Sequence, residues 1–163
     1  MRVYLPATID MLRKLVSDGK LQPIGGTGFA LTPALRESYV SGDTEELEYA
    51  ALLDAARASL RLLGADEKER PRRVVISVDT EHATVRPDLD AAAVKVSGPI
   101  LLDDIAAVHV DAEEAEDAVR AAAEIIDAAD LGDLDAEFTL GEAEDHELAW
   151  YAPQELPFLL ELL

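Results

Sequence analysis

Cysteine is absent from this chain of 163 residues, so disulfides, thiolate catalysis and thiolate metal sites are all excluded. Aromatic residues are scarce at 5%, and the chain contains a single tryptophan. No apolar run approaches the roughly 20 residues that a membrane helix needs. The first residues also lack the charged and then apolar pattern of a signal peptide. These absences lead us to expect a cytoplasmic protein with no membrane contact.

Basic residues are also few, and they are unevenly placed. The chain has 14 Lys and Arg against 34 Asp and Glu, a net charge of −20. Residues 1–82 carry 11 basic and 13 acidic side chains, whereas residues 83–163 carry 3 and 21, a net charge of −18. A nucleic-acid backbone requires clustered Lys and Arg. We therefore expect no nucleic-acid partner.

The apolar content of 49% is normal for a globular protein and too high for a disordered one. Thr8 has the position of an N-cap for a helix that Gly19 ends. Asp43 begins a second helix, which reaches Gly64. Three adjacent β-branched residues make Arg73 to Asp79 the strongest strand candidate, buried on both faces.

The second half continues with alternating elements. We predict a strand from Ile105 to Asp111, a helix from Ala112 to Ala129 and an acidic loop from Ala128 to Glu137. A last strand, His146 to Tyr151, precedes a short apolar helix from Pro153 to Leu163. Mixed order with long crossovers predicts an α+β or α/β two-layer sandwich on a mixed sheet. A ferredoxin-like arrangement is one option, with residues 1–163 forming a single domain.

Four segments together resemble a known family. They are Met1 to Thr8 (MRVYLPAT), Thr32 to Glu37 (TPALRE), Val108 to Asp111 (VHVD) and His146 to Tyr151 (HELAWY). These segments are similar to those of short, acidic, uncharacterised proteins that we associate with high-GC actinobacteria. The likeness spans nearly the whole chain, which favours one domain. No activity is established for that family, so the resemblance implies no functional residue.

One set of residues has the spacing of metal ligands. His109 and Asp111 project from the same face of a strand, and Asp79 or His82 is a candidate third ligand. The alternative is that Asp111 caps the helix beginning at Ala112, since Asp before acidic residues is a good N-cap. We prefer the capping interpretation, and we expect neither a bound metal nor another cofactor.

Other candidate binding residues lie elsewhere in the chain. Arg36, near Tyr39, has the chemistry to bind a carboxylate, although a surface ion pair is the simpler role. Trp150 and Tyr151, followed by a leucine-rich segment, have the character of an apolar edge that binds a partner or a second copy. The alternative there is that the final helix folds back and completes the core.

Two hypotheses on function follow from these observations. The first is a non-enzymatic binding or regulatory module that acts through contacts with a protein partner or in a homodimer. The second is a small metal-assisted or carboxylate-based hydrolase that uses His109, Asp111, Asp79 and His82. We favour the first, because no Gly-x-Ser-x-Gly motif or other catalytic signature is present.

Overall fold

The computed structural model describes residues 1–163, which form six α-helices and nine β-strands. The helices are α1 (Ile9–Asp18), α2 (Pro33–Glu37), α3 (Thr44–Gly64), α4 (Glu116–Asp130), α5 (Leu134–Glu144) and α6 (Leu156–Glu161). The strands are β1 (Arg2–Ala7), β2 (Lys20–Leu21), β3 (Thr27–Phe29), β4 (Val74–Asp79), β5 (Ala83–Val85), β6 (Ala93–Val96), β7 (Ile100–Leu101), β8 (Ile105–Val110) and β9 (Ala149–Tyr151).

Seven strands form one sheet in the order β5-β6-β3-β1-β4-β8-β9, and β2 pairs with β7 in a separate ribbon. Neighbouring strands in the large sheet are antiparallel. β3 and β4 flank β1, and α2 and α3 connect them in the manner of one split β-α-β unit. The predicted α+β class is confirmed.

The predicted mixed sheet is wrong, because every pairing is antiparallel. A single helix between β8 and the last strand would bring the chain back parallel to β8. The structure has two helices there, α4 and α5, so the chain reverses once more and β9 runs antiparallel to β8. The ferredoxin-like option is also not observed, since β4 pairs with β8 and β9 extends the sheet beyond it.

The sheet is covered on both faces, so the fold has three layers rather than the predicted two. α1 and α6 pack against one face of the sheet. Val74, Ile76 and Val78 of β4 lie on this face and belong to the same hydrophobic core as the two helices. α3 packs against the opposite face, where Tyr4 and Val75 lie. Consecutive residues of β4 are apolar and buried, so both faces of the sheet require a covering layer. The sequence analysis predicted this burial of β4 on both faces.

Local hydrogen bonds explain where two of the predicted helices begin. The Thr8 hydroxyl accepts a hydrogen bond from the Met11 N–H, and the Asp43 carboxylate accepts one from the Glu46 N–H. Gly19 ends α1 with a left-handed φ of 74°. Both helices therefore match the prediction closely at their N-termini.

A buried serine fixes α3 on the sheet. The Ser59 hydroxyl donates to the Ala7 carbonyl at 2.7 Å and accepts from the Val74 N–H at 3.1 Å. It therefore connects α3 to β1 and to β4 at one point. Small residues of α3, among them Ala51 and Ala55, allow the helix to approach the sheet closely.

α4 and α5 form a helical hairpin that packs on α3, with α3, α4 and α5 sharing a core of their own. The predicted acidic loop from Ala128 to Glu137 is wrong, because α4 continues to Asp130 and α5 begins at Leu134. The backbone of Gly64 on α3 lies so close to α4 that an added Cβ would be 2.7 Å from the Ala123 carbonyl oxygen.

The C-terminal helix α6 completes the core on the α1 face. Leu156, Leu159 and Leu160 are buried in the cluster that contains α1. Phe158 and Leu162 remain exposed on the outer side of α6. Among all six helices, none combines the length and apolarity that crossing a bilayer requires.

Candidate functional site

An open groove lies between α3 and the part of the sheet formed by β4, β8 and β9. It consists of two adjoining cavities of about 280 and 220 Å³. Tyr49, Leu52, His109 and Trp150 line both cavities and so join them into one groove. We refer to this feature as the α3–β9 groove. It arises because α3 crosses the centre of the sheet and leaves the β9 side uncovered.

His109 and Trp150 are direct partners across β8 and β9, so their side chains share the face that α3 covers. The Ser77 hydroxyl on β4 and His109 Nε2 are hydrogen-bonded at 2.9 Å. Burial lowers the pKa of His109 below its ordinary value, with a smaller contribution from the Arg2 charge. Burial therefore favours the neutral form of the imidazole, and Ser77 fixes its orientation.

The Ser77–His109 pair has the residue types of a nucleophile and its base, yet its surroundings do not support that role. Ser77 lies at the wall of the smaller cavity but is only 2% exposed, so its hydroxyl is almost entirely shielded from solvent. No other side chain is hydrogen-bonded to the His109 ring. The pair is therefore an orienting contact for His109.

Two aromatic side chains border the groove and remain in contact with solvent. Trp150 on β9 is 61% exposed, and Tyr49 on α3 is 51% exposed. Leu53, which is 39% exposed, lies on the same side of α3 and also lines the groove. Large apolar groups that face solvent around a concave surface are typical of binding sites.

Carboxylates outnumber available cations around the groove. Its lining includes Glu45, Glu48, Glu144 and Glu147. None of these four takes part in an ion pair. Glu48 instead accepts a hydrogen bond from the Tyr4 hydroxyl at 3.2 Å. Burial and the Glu48 charge raise the pKa of Tyr4 to about 12.

The two arginines at the groove are both neutralised by partners. Arg2 donates to Asp79 at 2.8 Å in an exposed pair. Arg73 donates through Nε and Nη2 to the two oxygens of Asp111, each at 2.8 Å, and this pair is almost fully buried. The groove therefore carries a net negative charge, since its four glutamates have no cationic partner and both of its guanidinium groups are paired with carboxylates.

The Arg73–Asp111 pair also fixes one wall of the groove. Arg73 Nη2 donates to the carbonyl oxygens of Ala143 at 3.0 Å and His146 at 2.8 Å. These carbonyls belong to the end of α5 and to the segment before β9. The pair thus connects β4 and β8 to the chain that leads into Trp150.

Asp111 is not the helix cap that the sequence analysis preferred. Its carboxylate accepts from the Arg73 backbone N–H and guanidinium, and the helical turn after Ala112 has no side-chain cap. Of the other candidate metal ligands, Asp79 pairs with Arg2, and His82 lines a different cavity with Asp79 and Asp104. His109, Asp111, Asp79 and His82 do not converge, and no group of three His, Asp or Glu side chains has a metal-binding arrangement.

The remaining candidate residues lie outside the groove. Arg36 Nη2 donates to the Thr44 hydroxyl at 3.5 Å, and Tyr39 is 49% exposed in the loop after α2. Neither residue lines the groove. Tyr151 faces the opposite side of β9 from Trp150 and packs against the α1-side core. Of the five candidate binding residues, the structure brings together only His109 and Trp150.

Sequence reasoning missed Tyr49, Ser77 and the groove carboxylates. Ser77 could have been identified from the sequence, because it is the one polar residue inside an otherwise apolar buried strand. Tyr49 was harder to identify, since its only distinguishing feature is that it is a large aromatic residue on the solvent side of α3. The groove glutamates could not be identified, since they are a few among 34 acidic residues in the chain.

The fold and the groove define a three-layer α+β protein with an open, acidic groove. The chain belongs to a family of unknown function, DUF6912, whose model matches residues 1–160. The resemblance to a family without an established activity is thereby confirmed. No curated protein and no solved structure matches the chain.

Proposed function

We propose that the protein is a non-enzymatic binding module that holds an extended, basic segment of a partner protein in the α3–β9 groove. The observation that carries the proposal is the pair of half-exposed aromatic residues, Trp150 and Tyr49, beside carboxylates that have no ion-pair partner. A cytoplasmic location and a single-domain organisation are part of the same proposal.

The aromatic residues favour a cationic side chain as the central contact. Lys and Arg are attracted to the faces of Trp and Tyr, and the attraction is strongest for Trp. Glu147 and Glu144 lie beside Trp150 in the groove lining, so a cation there has both an aromatic face and carboxylates within one cavity. Leu52 and Leu53 offer apolar contact for the methylene groups of the same side chain.

Charge also favours a foreign partner over a second copy of the chain. Two copies, each with a net charge of −20, repel each other over long range. The groove has the same sign as the whole molecule, so the overall field attracts a basic ligand towards it.

The position of β9 favours an extended ligand. β9 is the last strand of the sheet and pairs only with β8, which leaves its outer backbone edge without a strand partner. An extended peptide is able to pair with such an edge while its alternate side chains enter the adjoining groove.

The only tryptophan of the chain borders the groove, so its fluorescence provides the test. The probe is a labelled ten-residue peptide in which Lys alternates with Leu, titrated against the full chain. We expect a shift of Trp150 emission on binding and a loss of affinity as salt is raised. A peptide of the same length with Glu in place of Lys is expected not to bind.

Variants separate the groove from general surface effects. Trp150→Ala and Glu147→Gln are each expected to weaken the binding of the labelled Lys-Leu peptide by about tenfold or more. Phe158→Ala and Glu113→Gln are the matched controls, since both residues are exposed and lie outside the groove lining. Equal affinity for the Lys and Glu peptides, or unchanged affinity in Trp150→Ala, would overturn the proposal.

A further inference from the structure

Helix α5 exposes two of its three large apolar side chains to solvent, which is unusual for a helix that only supports a core. Its buried side consists of Ala136, Leu140 and Ala143. Its other two large apolar residues, Leu134 and Phe138, point to solvent and are 85% and 73% exposed. An ordinary surface helix has the reverse arrangement, with large apolar residues inside and polar ones outside.

A third residue extends this exposed surface. Leu131, in the turn between α4 and α5, is 89% exposed. Leu134 and Phe138 are spaced at i and i+4, which places them on one face of α5, and Leu131 lies in the turn just before that face. We name these three residues the α5 outer face. Isolated exposed apolar residues are common, but Leu134 and Phe138 are neighbours on one helix face and Leu131 is close to them in the chain, so together they make up a short apolar strip.

The α5 outer face lies within the most acidic part of the chain. Residues 127–145 contain eight Asp and Glu and no Lys or Arg. Asp130 is neutralised by Arg57 and Arg61, and Asp133 caps α5. Asp135, Glu137 and Glu142 are exposed and take part in no ion pair, so the strip has uncompensated negative charge beside it.

We propose that the α5 outer face is a second docking surface, independent of the α3–β9 groove, for an amphipathic helix whose apolar side is flanked by Lys and Arg. The apolar strip matches the apolar side of such a helix, and the flanking carboxylates match its basic residues. A second copy of this chain does not fit, because it would bring the same unpaired carboxylates together.

The test uses a designed probe and the full chain. The probe is a 16-residue peptide with a leucine side flanked by Lys, and its counterpart has Glu in place of every Lys. We expect the Lys peptide to become helical in circular dichroism when the protein is added, and the Glu peptide to remain unbound. Titration calorimetry gives the affinity of each peptide.

Leu134→Ala and Phe138→Ala are each expected to lower the affinity for the Lys peptide by about fivefold or more. Both residues are exposed, so the fold is retained. Leu89→Ala, at an exposed leucine outside α5, is the matched control and is expected to bind normally. The Trp150→Ala variant is also expected to bind the Lys peptide normally. This result would distinguish binding at the α5 outer face from binding in the α3–β9 groove.

Three results would overturn the inference. One is equal binding of the Lys and Glu peptides, and another is unchanged affinity in both the Leu134→Ala and Phe138→Ala variants. The third is self-association in sedimentation that disappears in Phe138→Ala, which would identify a second copy as the occupant.

Discussion

Removal of the Asp111 carboxylate is expected to be among the most damaging single changes in this protein. The Arg73 and Asp111 side chains are 3% and 0% exposed. Asp111→Ala leaves the Arg73 guanidinium buried with two carbonyl acceptors and no counter-charge, and it leaves the Arg73 backbone N–H without its acceptor. In the intact chain, every buried side-chain polar atom has a hydrogen-bond partner.

The size of the effect follows from these contacts. Breaking a buried ion pair by removing one partner costs about 3–5 kcal/mol, and an orphaned buried N–H adds to that cost. Because domains of this size are stable by only about 5–15 kcal/mol, we expect Asp111→Ala to lose a large share of the free energy of unfolding. Asp79→Ala breaks an exposed pair with Arg2 and is expected to cost less than about 1 kcal/mol.

Urea unfolding followed by far-UV circular dichroism measures both variants against the parent chain. Hydrogen exchange adds a local readout, because loss of the pair should free the segment from Ala143 to Trp150 before the rest of the sheet. If Asp111→Ala and Asp79→Ala lowered stability by similar small amounts, the reasoning on the buried pair would be wrong. A combined Arg73→Met and Asp111→Leu variant should recover much of the loss, since it removes both charges.

Three further changes test other parts of the fold by the same unfolding assay. Gly28→Ala puts a Cβ 2.5 Å from Val3 Cγ1 and should cost about 1–3 kcal/mol, whereas Gly141→Ala meets no atom within 4 Å and should cost nothing. Ser59→Ala orphans backbone groups of β1 and β4 and should cost about 1–3 kcal/mol, and no loss would contradict its connecting role. Burial raises the pKa of Asp54 to about 6, so the free energy of unfolding falls as the pH rises from about 4 through about 6 and the carboxylate becomes charged. Asp54→Asn should therefore stabilise the protein at pH 7.5 by about 1 kcal/mol after allowance for its partial exposure, with no gain below about pH 4.

The helices that the sequence predicted well are those with local signals. Thr8, Gly19 and Asp43 act on backbone groups within four residues, so their roles are readable without knowledge of the fold. α5 also has an N-cap, Asp133, but its apolar residues lie on both sides and its many acids are typical of a solvated loop, so the cap alone did not reveal the helix. The sequence therefore predicted one helix before the last strand, where the structure has two.

The groove depends on strand register, which the sequence does not reveal. His109 and Trp150 were each identified as candidates, but their pairing needs the alignment of β8 with β9. Asp111 illustrates the same limit. The sequence suggested either a helix cap or a metal ligand at this position, and neither interpretation pointed to Arg73. Its actual partner, Arg73, is 38 residues away and meets it only because β4 pairs with β8.

The central position of β1 has a consequence for the time course of folding in the cell. β1 precedes every other element, yet its longest pairing is with β4, from Arg2 with Asp79 to Ala7 with Val74. At about 5–20 residues per second, a ribosome needs roughly 3–15 seconds to complete the segment that separates the two strands. Throughout that interval Val3 and Leu5, which are fully buried in the finished protein, have no β4 to cover them. The middle of the sheet is thus the last part of the first half to close, and these apolar side chains lack their β4 cover until Asp79 has been synthesised.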